Sequence, residues 1–274
     1  MTNYAKLQKK AREDVNACIS VWKEILTEEG REIEYAYAKG SSTKVWESPI
    51  DYVPEISDVD IHLFTTKEEG LFNPPYDFDD AMHLSEQYET RFHKIKPDAF
   101  HMPRSQIVRI KQMKEVLEHY CPPRISDVQI LFGEPKQEEF PDIDSIRKQD
   151  LTNLIQLEEY IEPIPRQVFD RAGHDFWYII RSMTWHVSPS PIRILSQTHD
   201  DPIDLWSWNR TRIEQEMRNQ DYSQIADSYR DFYMSGWELF LSEFRSLKAY
   251  REVVTHGYNL LKQCHDEGKN IIRR

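Results

Sequence analysis

Two short runs suited to pairing as strands, joined through a glycine-serine turn, constrain this chain more than any other feature. The first is Ile33-Glu34-Tyr35-Ala36-Tyr37-Ala38, and it ends in Lys39-Gly40-Ser41-Ser42. The second, Asp58-Val59-Asp60-Ile61-His62-Leu63-Phe64, follows Ser57. Alternation along a strand puts Asp58 and Asp60 on one face, with Val59 and Ile61 on the other, inward face. Two carboxylates held that close repel each other unless a cation lies between them. Hard oxygen donors on a rigid strand suit Mg²⁺, which also takes oxygens from a substrate phosphate. Gly40 allows close approach to the backbone, and successive N–H groups at a turn make a nest for phosphate. The Ser41 and Ser42 hydroxyls would add bonds to the same phosphates. Alone, an Asp-x-Asp is commonly a solvated strand edge and a Gly-Ser-Ser only a turn. Together in one α/β unit they specify a phosphate-and-metal site.

This pattern resembles the nucleotidyltransferase fold of the DNA polymerase β-like superfamily, whose small bacterial and archaeal members include the aminoglycoside nucleotidyltransferases. Gly40-Ser41 matches that family's first motif and Asp58-Val59-Asp60 its second, and the resemblance covers about residues 33–133. It implies nucleotide binding at Gly40, Ser41 and Ser42, and a metal pair, Asp58 and Asp60, holding two Mg²⁺ ions. It also implies a third carboxylate on a later strand. That is Asp127, in Ile125-Ser126-Asp127-Val128-Gln129, as metal ligand or general base; a capping or edge role is its plainer reading, and Glu134 is the reserve. One departure is the segment from Ser42 to Ser57, which is longer than is usual in the family. It reads either as a loop insertion or as a wall of the base pocket.

The resemblance implies transfer of a nucleoside monophosphate from a nucleoside triphosphate to the hydroxyl of a small-molecule acceptor, such as an aminoglycoside-like antibiotic, with release of pyrophosphate. The acceptor is expected between two domains, where clefts commonly form. Two alternatives stand beside this reading. One is an antitoxin-like member that modifies a protein, and the other a nucleotide-binding regulatory protein without turnover.

The rest of the chain sets the domain plan. Tyr4, Leu7, Ala11, Val15, Cys18, Trp22 and Ile25 recur at helical spacing, with Gly30 as a cap. Residues 65–79 read as a loop, and Asp79 and Asp80 as caps of a helix running to about Ile95. Ile107, Ile110, Met113 and Leu117 predict a helix over 105–119, and Arg124–Phe132 a third strand, beside the one bearing Asp58 and Asp60. After Pro141 no strand is apparent, and helical patterns cover about 143–161, 166–187, 203–219 and 223–265. The expected fold is α+β: a nucleotidyltransferase domain over 1–140, with a mixed sheet and flanking helices, then an all-α bundle over 141–274.

Charge and composition exclude other classes. The net charge is −12, and residues 1–140 carry 18 basic against 26 acidic side chains. A non-specific nucleic-acid module needs the opposite balance. Eight glycines are few for a Gly-rich dinucleotide fold. Cys18, Cys121 and Cys264 have neither disulfide nor zinc spacing, and the first ten residues hold no apolar leader segment. No run reaches 18 apolar residues, so a cytoplasmic protein without membrane contact is expected. Its oligomeric state stays open, a homo-oligomer included.

Asp77, Asp79, Asp80, Glu86 and Glu89 form an acidic stretch without Lys or Arg. It reads as a solvated helix start or as a field that attracts a cationic acceptor. His174, His186 and His199 fit no zinc spacing. Trp177, Trp185, Trp206, Trp208 and Trp237 read as helical core. Arg181 and Lys148 read as surface residues, with contact to a phosphate as the minor alternative.

Overall fold

The computed structural model describes residues 2–67, 70–116 and 120–273. The chain divides into two compact units, one of residues 1–45 with 57–140, the other of residues 46–56 with 141–274.

The first unit is α+β. Helix α1 (Tyr4–Glu29) is capped by the Asn3 side chain, which accepts from Lys6 N, and buries Ala11, Val15, Cys18, Trp22 and Ile25 along one face. It is followed by β1 (Ile33–Lys39), β2 (Val59–Thr65), α2 (Phe78–Ile95), β3 (Ser105–Arg109), α3 (Ile110–Val116) and β4 (Gln129–Phe132). The strands form one mixed sheet in the order β3-β2-β1-β4. β1 runs antiparallel to both β2 and β4, and β2 runs parallel to β3.

Period-two alternation sorts the two faces. Val59, Ile61 and Leu63 of β2 are fully buried on one. α1 packs against β2, β4 and α2, and Trp22 stacks on Tyr88 of α2 at 5.6 Å. On the other face Tyr35, Tyr37 and Ile110 form a small core, flanked by Phe64, Tyr120 and Val128. The cap of α2 is Asp77, whose carboxylate accepts from Asp79 N and Asp80 N; the two later acids fill the exposed first turn.

Three sequence expectations are corrected here. Residues 105–109 are a strand, not the start of a helix, because they lie along β2 in parallel register, from Val59 opposite Ser105 to Leu63 opposite Arg109. The helix begins only at Ile110, and Leu117, offered as its last apolar contact, lies outside the described residues. The strand after Pro123 is short: Ile125–Asp127 is a 3-10 turn, and β4 pairs with β1 rather than with β2.

The second unit is helical: α4 (Ile143–Ile161), α5 (Ile164–Phe169), α6 (Phe176–Val187), α7 (Ser190–Leu195), α8 (Pro202–Leu205), α9 (Arg210–Asn219), α10 (Ser223–Leu241) and α11 (Leu247–Arg273). The expected helix over 223–265 is two, because Glu243 and Phe244 take left-handed φ of 53° and 58° and turn the chain. Ser246 then caps α11 by accepting from Ala249 N at 3.1 Å. Trp237 and Trp208 are core, but Trp185 and Trp206 are exposed and Trp177 is half-buried. No described helix is long and apolar enough to cross a membrane.

Residues 46–56 are held inside this helical unit by a buried carboxylate. Asp51 Oδ2 accepts from Glu47 N at 2.7 Å, Ser48 N at 2.9 Å and Thr211 Oγ1 at 2.8 Å. Its Oδ1 accepts from Thr211 N at 2.8 Å. Arg210 donates to Ile50 O at 3.0 Å, and Trp237 Nε1 to Pro49 O at 2.8 Å. Truncating Asp51 leaves several buried donors without an acceptor, each costing on the order of 1 kcal/mol or more. Asp51→Ala should therefore destabilise the helical unit by about 3 kcal/mol, read as a lower urea midpoint by circular dichroism. An unchanged midpoint would show that the segment is not held this way.

Candidate functional site

The motif residues meet where β1 ends and β2 begins. The antiparallel register places Lys39 directly opposite Asp60, so the turn that follows Lys39 lies beside the acid-bearing end of β2. Gly40 has a φ of +80°, the left-handed region that favours glycine. A Cβ built on Gly40 would collide with Asp60 Oδ2. Sterics and backbone both demand glycine here, and they bring the turn and the carboxylate into contact.

Gly40–Ser42 forms a single 3-10 turn and does not open an α-helix. Ser42 is buried, and its hydroxyl donates to Lys39 O at 2.9 Å, so it closes the turn from within. Thr43 Oγ1 donates to Gly40 O at 3.2 Å. From α1, Arg12 donates to Ser42 O and to Lys44 O, both at 2.6 Å. A cation on α1 thus fixes the turn from behind. Ser41 is half-buried.

Asp58 is the residue before β2, and its carboxylate is paired with the Arg104 guanidinium. Arg104 precedes β3, and its carbonyl accepts from Val59 N at 2.9 Å, which sets it abreast of Asp58. The stretch leading to it is fixed by Asp14 of α1. Asp14 Oδ2 accepts from Phe100 N at 2.9 Å and from His101 N at 3.0 Å, and lies 3.2 Å from His101 Nδ1. Burial alone would raise the Asp14 pKa, but the hydrogen bonds and charge of His101 and the charge of Lys96 outweigh it and hold it below the usual carboxylate range. Tyr88 donates to Pro103 O on the same stretch.

Two titratable side chains on this sheet face were not singled out from the sequence. Burial lowers the Lys39 pKa, and the neighbouring negative charge of Asp60 opposes that shift. His62, two residues along β2, stacks on Tyr37 at 5.6 Å and is 3% exposed. Burial, then the positive charge of Lys39, pushes its pKa well below the ordinary value. Its buried Nδ1 has no hydrogen-bond partner.

Asp127 does not join this group on a neighbouring strand. It is exposed in the turn before β4, where its Oδ1 accepts from Ser126 Oγ at 3.1 Å. β4 lies beyond β1, so a whole strand separates it from β2. The strand on the other side of β2 sets Gln106 opposite Asp60. Glu134, the reserve carboxylate, is exposed beyond the end of β4. Among the described residues no three His, Cys, Asp or Glu side chains cluster as a metal cage.

A Mg²⁺ ion that arrives with a nucleotide does not need such a cage, because one or two carboxylates plus phosphate oxygens suffice. Asp58 and Asp60 supply that donor set, and the Gly40 turn lies against the Asp60 carboxylate. The residues present fit the ion on those terms.

Other side chains singled out in the sequence serve the helical unit. Arg181 donates to Glu55 O and lies over the Trp177 ring, and Lys148 is exposed. His174 Nδ1 is 2.8 Å from Tyr250 Oη, His186 stacks on Tyr160, and His199 Nδ1 is 2.9 Å from Asp201 O. Each of the three has its own partner within the helical unit. Comparison with family models, with curated proteins and with solved structures found no match to this chain.

Two expected outcomes follow from this geometry. Gly40→Ala should cost about 1–2 kcal/mol, from a strained φ and the displaced carboxylate. Adding Asp60→Ala to that variant should recover part of the loss, because the two sites share one steric contact. Additive losses in urea unfolding would contradict the contact. For His62, the folded-state pKa is depressed, so the unfolded chain takes up the proton first. Its contribution to stability is full above about pH 6.5, the unperturbed value, and is lost as pH falls below it. His62→Phe should remove that part of the acid-side decline in unfolding free energy. An unchanged pH profile would argue against it.

Proposed function

We propose that the chain is a Mg²⁺-dependent nucleotidyltransferase that moves a nucleoside monophosphate from a nucleoside triphosphate to the hydroxyl of a small-molecule acceptor. The observation that carries this reading is the contact between the Gly40 turn and Asp60, which sets a glycine turn of left-handed φ against one carboxylate of the pair. The triphosphate lies along residues 40–42, with the Gly40 backbone as its closest protein contact. Lys39 supplies positive charge beside Asp60. Asp58 and Asp60 would hold a Mg²⁺ ion, which would supply positive charge against the triphosphate and the departing pyrophosphate. The acceptor oxygen attacks the α-phosphorus, the bond to pyrophosphate breaks, and the hydroxyl proton leaves to water at the half-exposed strand end. Such transfer rests on positioning and electrostatic stabilisation more than on covalent chemistry by the protein. A dedicated base is therefore not required, and the exposed Asp127 is left without a necessary part.

One observation favours a second reading, a nucleotide-binding regulatory protein without turnover. The strand flanking Asp60 offers Gln106, a neutral amide, where a third carboxylate would complete an acidic cluster. Pyrophosphate release separates the two readings. ATP, GTP, CTP and UTP are each incubated with Mg²⁺ and a panel of hydroxylated acceptors, aminoglycosides included. Under the transferase reading one combination releases pyrophosphate, and Asp58→Asn with Asp60→Asn lowers the rate at least 10³-fold while the circular dichroism spectrum is kept. Nucleotide binding without release across the panel would favour the regulatory reading. Absence of nucleotide binding would overturn both.

A further inference from the structure

We propose that Arg104 is an exchangeable counter-ion of this site, holding Asp58 when no nucleotide is bound and turning to the triphosphate when Mg–nucleotide enters. The inference rests on the nucleotide-binding reading above and names a residue that neither motif contains.

The first argument is position. The Arg104 backbone is fixed beside Asp58 by the bond from Val59 N, and the stretch before it is tied down by Asp14 and Tyr88. Its side chain, by contrast, is 36% exposed and that of Asp58 is 18% exposed. A fixed backbone with a partly exposed side chain is what an arginine needs in order to swing between two anions at one strand end.

The second argument is unused bonding capacity. Arginine presents a planar fork of five N–H donors that matches carboxylate and phosphate oxygens two at a time. Here the bond to Asp58 runs from Nη2, and the buried Nε has no hydrogen-bond partner. A buried donor left unpaired costs free energy. A phosphate group, with three oxygens around one phosphorus, offers acceptors to Nε and Nη2 together.

The third argument is charge balance. In the protein alone, two cations, Arg104 and Lys39, stand beside two carboxylates, Asp58 and Asp60. Arg104 therefore does for Asp58 what a metal ion would do, and the mutual repulsion of the pair is relieved without one. A Mg–nucleotide brings a divalent cation that competes for Asp58 and phosphates that carry net negative charge. Exchange satisfies both, because Asp58 passes to the metal and Arg104 passes to the phosphates. The same pairing makes metal alone a poor ligand, since a bare ion must displace the guanidinium and offers it no new anion.

The two halves of this exchange predict effects of opposite sign, which a general loss of structure does not produce. Calorimetry measures inorganic triphosphate without metal, and paramagnetic titration measures Mn²⁺ alone, on wild type, Arg104→Ala and Arg104→Lys. Arg104→Ala is expected to bind triphosphate about tenfold more weakly, the effect of one charge-assisted hydrogen bond, and Mn²⁺ severalfold more tightly. Arg104→Lys keeps the charge and loses the fork, so its triphosphate affinity falls between the other two while Mn²⁺ binding stays near wild type. Should Arg104→Ala fail to fold, Arg104→Lys alone still decides, because triphosphate affinity equal to wild type would overturn the proposal. Triphosphate binding unchanged in Arg104→Ala, or Mn²⁺ binding weakened in it, would also overturn it. Wild type that binds neither Mg–ATP nor triphosphate would overturn the nucleotide reading itself. Wild type that binds Mg–ATP, with neither triphosphate nor Mn²⁺ affinity altered in Arg104→Ala, would overturn only the exchange.

Discussion

The pairing of β1 with β2 is the constraint on which the site depends. A register with Lys39 opposite Asp60 leaves the next residue, Gly40, at the open end of the ladder with no space for a side chain. Side chains alternate with a period of two, so a slip of one residue would send Asp60 and His62 to the face now held by Val59, Ile61 and Leu63. The apolar requirement of that buried face therefore fixes where the acids point. The core on one side of the sheet and the polar cluster on the other are a single decision of register.

The same face shows how a charged strand end is kept stable. Asp58 has Arg104, Asp60 has Lys39 nearby, and Arg12 donates hydrogen bonds to the carbonyls of Ser42 and Lys44. Each cation comes from a different element: the segment before β3, the end of β1, and α1. An acidic pair that looks unstable when read along one strand is balanced by neighbours brought in from the rest of the sheet. His62 pays for that arrangement, since it is buried close to Lys39 and stays neutral as a result.

Much of this was legible in the sequence, for physical reasons. α1, β1, β2 and α4 follow strong periodicities bounded by caps and turns, the Gly-Ser motif lies in the expected turn, and Asp60 lies on the expected strand with Asp58 one residue before it. β3 was not legible. Ile107, Ile110 and Met113 satisfy a helical spacing, and the strand over 105–109 is an edge with only half-buried residues, so its alternation carries little apolar contrast. The short apolar pair Ile107-Val108 was the available signal for a strand. The place of β3 has a consequence for the site. With β3 taken as helix, the last strand was expected beside β2, and Asp127 was expected near the acid pair. Once β3 takes that place, Arg104 and Gln106 become the neighbours of Asp58 and Asp60, and Asp127 falls to the far side of β1. The break between α10 and α11 was hidden for a different reason: Glu243 and Phe244 adopt left-handed φ without a glycine or proline to announce it.

The long segment between the two motifs has a physical role that spacing alone could not reveal. Read along the chain, residues 46–56 look like a loop insertion or a wall of the base pocket. In the fold they carry a buried aspartate that accepts hydrogen bonds from α9, and their backbone carbonyls accept from Arg210, Trp237 and Arg181. A loop seldom buries its backbone unless those groups are paired, and here the helical unit pairs them. The chain therefore leaves the sheet-bearing unit just after the Gly40 turn and returns to it just before Asp58. Both crossings adjoin site residues, so the two motifs are the ends of one tether whose middle belongs to the other unit. Shortening that tether would remove hydrogen-bond partners of Asp51 as well as change the loop, and this ties the length of the segment between Ser41 and Asp58 to the packing of the helices.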